Sequence, residues 1–181
     1  YMKMKIMTVG LLLNLMLSSS YAGNTAESTA QAKAVMRNVY GSFVKVIPYI
    51  YSSSEKLGNL KDPKHKNEKD ELLKNLHDLS EYFKAARHAE FFLKPGFRPS
   101  LETINNHLEE TIISVNSNNF LFVQKRLNAL TSLCVSCHSQ LSDSIAKNAF
   151  GDAVNKESRS RFESDYAYAN YLFLVRRFAE S

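Results

Sequence analysis

The chain has no tryptophan, and its 181 residues include only four prolines, six glycines and two cysteines. Sparse glycine and proline leave long stretches free to run as regular helix, which points to an all-helical protein. A structural zinc site wants four ligands, usually with a second Cys/His pair, and there is no further cysteine to build one. A thioredoxin-like redox motif wants a strand–helix–strand setting, which the pattern does not supply. Methionine is scarce where it counts. Met2, Met4, Met7 and Met16 lie at the very start, and Met36 is the only other. No general base, nucleophile or substrate cleft can be named, so an enzyme is not expected.

Both cysteines fall in Leu133-Cys134-Val135-Ser136-Cys137-His138-Ser139. The Cys-x-x-Cys-His spacing predicts covalent attachment of one c-type haem. Two thiols a helical turn apart can add to the two vinyl groups of one porphyrin. His138 is then placed to bind the iron from one side. Chance occurrence of a short pattern is the plain alternative.

The start of the chain reads as an export signal. Lys3 and Lys5 form a positive n-region, and Ile6 to Leu17 is mostly apolar. Ser20 and Ala22 suit cleavage before Gly23, so residues 1–22 are a predicted signal peptide. The apolar run is short for a membrane span, although an uncleaved anchor is the competing reading. Signal and haem motif predict the same compartment, the bacterial periplasm, with no stable membrane span after cleavage. Loss of Lys3 and Lys5 takes the formal charge from +5 to +3. That is mildly basic and no signature of nucleic-acid binding.

After the signal, apolar residues recur at helical spacing. A first helix is predicted over Thr25 to Ser53, with Val39, Phe43, Val46 and Ile50 inward and Pro48 kinking or ending it. Ser52 to Lys66 reads as an exposed lysine-rich loop. A second helix is expected from Asn67, as N-cap, to about Phe92, with Leu72, Leu76, Leu79, Phe83 and Ala86 inward. Lys94 to Pro99 should turn the chain, Ser100 should cap a third helix, and Asn116 to Asn119 should end it. In the fourth helix, Phe120, Val123, Leu127, Leu130, Cys134, Cys137, Leu141 and Ile145 step along at threes and fours. Both cysteines therefore share the apolar stripe. Four such helices predict an antiparallel four-helix bundle over residues 23–147, an architecture that holds cofactors between facing helices.

A helical bundle with Cys134, Cys137 and His138 late in its last helix resembles the cytochrome c-prime family, the class II c-type cytochromes, over about Thr25 to Ala146. The resemblance implies a proximal His138 and either five-coordinate iron or, in low-spin members, a methionine from the first helix. In Gln31-Ala32-Lys33-Ala34-Val35-Met36-Arg37, Met36 matches that early position. Many members carry an aromatic and an arginine soon after the histidine, where this chain has Ser139-Gln140-Leu141-Ser142. Family members also often dimerise through their outer helices, which implies a homodimer. Independently of the resemblance, no methionine follows His138, so a sulfur ligand opposite it has to be Met36. Core packing is the other role open to Met36.

His65, His77, His88 and His107 read as surface or boundary residues rather than axial ligands. Residues 148–181 are predicted as a polar linker and an aromatic C-terminal helix over Arg161 to Ala179. Tyr168 to Ala179 resembles the first helix of a tetratricopeptide hairpin, while a fifth helix packed across the bundle is the simpler expectation. The functional expectation is a periplasmic monohaem cytochrome that transfers one electron between periplasmic redox proteins. Its alternatives are a five-coordinate binder of NO or CO and a haem-stapled interaction module.

Overall fold

Each apolar stripe in the sequence needs a facing stripe, and in the computed structural model the long helices provide one for another. The structure describes residues 3–138 and 157–175, with side chains from Glu27 onward in those ranges and His138 excepted. All regular elements among the described residues are helical. They are α1 (Lys3–Ile50), α2 (Ser54–Asn59), α3 (Lys66–Ala86), α4 (Phe97–Asn116), α5 (Phe120–His138) and α6 (Asp165–Leu174), with 3-10 turns at Pro63–His65, Glu90–Leu93 and Arg159–Arg161. α1 packs on α3, α3 on α4, α4 on α5, and α5 closes back on α1. Among the described residues no helix is long and apolar enough to cross a membrane.

The core is built from the predicted stripes. Phe43, Val46, Ile47 and Ile50 of α1 meet Leu72, Leu76, Leu79 and Phe83 of α3. Leu101, Ile104, Leu108 and Val115 of α4 and Phe120, Val123, Leu127 and Leu130 of α5 complete it. Ala167, Tyr171 and Leu172 of α6 belong to the same buried cluster. The C-terminal segment is therefore part of the core.

Several boundaries differ from expectation. α1 begins at Lys3, so the predicted cleavage point before Gly23 falls inside it, and it runs through Pro48 for two residues before stopping. The expected loop after it contains α2, because Ser53 caps that helix by accepting from the Lys56 N–H (3.2 Å) while Leu57 and Leu60 turn into the core. Asn67 is not a cap. α3 starts at Lys66 directly after the Pro63–His65 turn, in which Asp62 accepts from the Lys64 N–H. α3 also ends at Ala86, with Phe91 and Phe92 in a separate 3-10 turn. α4 starts at Phe97, three residues before the expected Ser100 cap, because Gly96 takes φ 98, open to glycine, and Pro99 fits the first turn.

Between α4 and α5 lies a buried polar contact. His107 Nε2 bonds the Arg126 carbonyl oxygen at 2.6 Å, and the Arg126 guanidinium donates to the His107 carbonyl at 3.2 Å and pairs with Glu110. Burial, with the Arg126 charge adding to it, holds the imidazole below its usual pKa of 6.5 against the opposing pull of the Arg126 carbonyl and Glu110.

Two outcomes follow for stability. Leu76→Ala, at a fully buried site, should lower unfolding stability by about 2–5 kcal/mol. Ile113→Ala, at a position 65 % exposed, should change it by less than about 0.5 kcal/mol; chemical denaturation compares the two. A histidine whose folded pKa is depressed contributes stability that is full above its unfolded pKa and is lost as pH falls through the folded value. The urea midpoint should therefore drop as pH is lowered below about 6.5, and His107→Gln should remove that part of the drop. An equal drop in the variant would show that His107 is not its source.

Candidate functional site

The site starts from a turn. Asn118 takes φ 58, a conformation that asparagine tolerates, and the Asn119 carbonyl accepts from the Phe122 and Val123 N–H groups, so α5 launches at Phe120. No glycine or proline interrupts Phe120–His138, and the helix runs on without a break. Its inward stripe continues through the motif. Cys137 is 8 % exposed and belongs to the core cluster, and Cys134, one turn earlier, is half-buried and packed against it. Val135 and Ser136, between them, face outward. The backbone of His138 closes α5; its imidazole, and the predicted stripe positions Leu141 and Ile145, lie outside the described residues.

Both thiols are free. Cys134 keeps part of its surface open, but the atoms crowded round its sulfur, with Cys137 adding to their effect, push its pKa up to about 12. Burial also raises that of Cys137. The donor set fits a haem c: two free thiols three residues apart on one helical face, followed at once in sequence by an imidazole. Among the described residues no group of three or more His, Cys, Asp or Glu side chains could hold a bare metal ion.

The height of Met36 follows from a hydrogen bond. Gln124 Nε2 donates to the Ser52 carbonyl at 2.9 Å, and Ser54 Oγ donates to Gln124 Oε1 at 2.6 Å. These bonds pin the start of α5 to the junction of α1 and α2, just beyond Ile50, and α5 packs back along α1, so the two helices run in opposite directions. At 1.5 Å of rise per residue, His138 lies about 21 Å from that pin along α5 and Met36 about 24 Å back along α1. Met36 is half-buried against the core and comes within one turn of the level of His138.

Two features of the surroundings were not read from the sequence. Phe91, Phe92 and Phe97 form a buried aromatic cluster with ring centroids 5.3, 5.6 and 6.0 Å apart. The short α4–α5 turn makes those helices neighbours in opposite directions, so Phe97 at the head of α4 stands near the height of His138 at the foot of α5. Phenylalanines on both sides of Lys94-Pro95-Gly96 were the available signal. The second feature is an open cleft of about 310 Å³ between the end of α1, α5 and α6. Tyr51 and Tyr166 flank it, and it reaches Thr131, one turn before Cys134 on the same face. Burial, with Tyr166 beside it, pushes the Tyr51 phenol up to about 12.

The remaining histidines stand apart from the motif. His77 and His88 are exposed, and half-exposed His65 bonds Glu68 at 3.2 Å. His107 is buried, but its partner Arg126 is eight residues before Cys134, about 12 Å along the helix. The chain matches no protein-family model, no curated protein and no solved structure.

Proposed function

We propose that this chain is a periplasmic c-type cytochrome of the cytochrome c-prime kind: an antiparallel four-helix bundle with one haem, joined to Cys134 and Cys137, that transfers single electrons between periplasmic redox proteins. The observation that carries this reading is the placement of the Cys-x-x-Cys-His sequence. Both cysteines lie on the core-facing side of α5, so a group attached there sits against the bundle interior. A haem held in this way supplies a one-electron iron couple.

The residues of the chain have distinct tasks in this proposal. Cys134 and Cys137 fix the position of the group covalently. His138 would supply one ligand to the iron, and Met36, at nearly the same height on α1, would supply a second. With both ligands in place no iron site is open, which favours electron transfer over gas binding, and a thioether ligand raises the reduction potential. Val39 and Phe43 on the α1 stripe, with the cluster of Phe91, Phe92 and Phe97, keep that end of the core apolar. Residues 1–22 act as the export signal.

The competing reading, five-coordinate iron that binds NO or CO, keeps the attachment and assigns Met36 to packing. Absorption spectra of the oxidised and reduced protein separate the two. The oxidised protein should show a sulfur-to-iron charge-transfer band and bind CO poorly when reduced. Met36→Leu should abolish the band and let CO bind readily. High-spin iron that takes CO in the wild type, with spectra unchanged in Met36→Leu, would remove Met36 from the ligand set.

A further inference from the structure

The C-terminal segment is tied to α2 and to α1. At the cap of α2, Glu163 accepts from the Ser53 N–H at 3.1 Å and pairs with Lys56 at 3.5 Å. Farther back along α1, the Tyr171 hydroxyl meets the Tyr40 hydroxyl at 3.0 Å, a contact between residues 131 positions apart in sequence. Tyr171 is fully buried. Its oxygen also accepts from the Glu157 N–H at 2.9 Å, and its ring stacks on Phe162 at 5.1 Å and on Tyr168 at 5.8 Å. Ser164 caps α6 by accepting from the Ala167 N–H, and Arg159 pairs with Asp165, which fixes the start of the helix that presents Tyr171. Tyr171 is thus held by its ring, by a backbone donor and by its own helix.

Tyr40 is four residues after Met36 on α1, so the two side chains are neighbours on one helical face, about 5–6 Å apart at Cβ. Methionine is unbranched and turns about three bonds, and Met36 is only half-buried. Packing alone therefore fixes the thioether weakly, whereas a metal ligand has to be held to within about 0.5 Å by supporting contacts. An anchor one turn away restricts roll of α1 at the height where the sulfur has to be. We propose that Tyr171, through its hydrogen bond to Tyr40, is a positioning residue that holds Met36 in place as the iron ligand opposite His138. The C-terminal segment is then a strap on the ligand helix. This inference rests on the haem reading given above and goes beyond it by assigning the tail a role in coordination.

The test uses the full-length haem-loaded protein and four variants: Met36→Leu, Tyr40→Phe, Tyr171→Phe and the double Tyr40→Phe/Tyr171→Phe. Each phenylalanine keeps its ring and removes only the hydroxyl. The readouts are the sulfur-to-iron charge-transfer band, the high-spin fraction and CO uptake by the reduced protein, with far-UV circular dichroism as the control for folding. The expected result is a band in the wild type, its loss in Met36→Leu, and its partial loss with increased CO uptake in each Tyr→Phe variant at unchanged helicity. The double variant should be no worse than Tyr171→Phe alone, because both single variants remove the Tyr40 bond and Tyr171→Phe also removes the acceptor of the Glu157 N–H. A wild-type band that Met36→Leu abolishes and neither Tyr→Phe variant alters would overturn the strap and leave the ligand reading standing. Additive losses in the double variant would overturn the shared bond as the cause. Absence of the band from the wild type would overturn Met36 as a ligand and the strap with it. Should Tyr171→Phe unfold, Tyr40→Phe decides; unfolding of both would make the pair a core contact and overturn the proposal.

Discussion

The inward face of α5 is the constraint on which the rest depends. Phe120, Val123, Leu127 and Leu130 bury that face against the other helices, and helical periodicity then carries the same face through Cys134 to Cys137. The cysteines cannot turn to solvent unless the whole stripe turns with them. Hydrophobic burial along five turns of helix thus sets where a group attached to those sulfurs must lie. Burial along that stripe raises the pKa of both thiols.

The second consequence concerns the helix opposite. Gln124 donates to Ser52 and accepts from Ser54 at the α1–α2 junction, which sets the level of α5 beside α1, so a methionine far from the motif in sequence comes close to it in height. The C-terminal segment acts on the same region. Glu163, just before α6, reaches the cap of α2, Tyr171 reaches Tyr40 of α1, and Tyr166 flanks a cleft that the end of α1 and α5 also line. The tail is therefore bound to the helix that carries Met36. A free docking arm would leave Tyr171 and Leu172 in water, and both are buried.

The core was legible in the sequence because a repeat of about 3.6 residues needs no knowledge of partners. Leu72, Leu76, Leu79 and Phe83, and Leu101, Ile104, Leu108 and Val115, are all buried as their spacing requires. Boundaries were less legible, since local signals compete there. Gly58 and Pro63 marked a loop, but the Ser53 cap and the burial of Leu57 and Leu60 outweighed them and formed α2. Ser100 looked like a cap, yet Gly96 could take a positive φ and open α4 earlier. Within the site, the motif could be read because its chemistry depends on adjacent residues. The Tyr40–Tyr171 bond, the Phe91–Phe92–Phe97 cluster and the burial of His107 against Arg126 are tertiary contacts, and no local pattern encodes them.

The proposed function requires covalent attachment of one haem to Cys134 and Cys137. The most direct test is the mass of the denatured intact protein after expression with a periplasmic haem-attachment apparatus, followed by peptide mapping. The expected result is a chain heavier by one haem, with the added mass confined to the peptide that holds Cys134 and Cys137. A denatured chain of unmodified mass with two free thiols, from a host that loads a control c-type cytochrome, would contradict it.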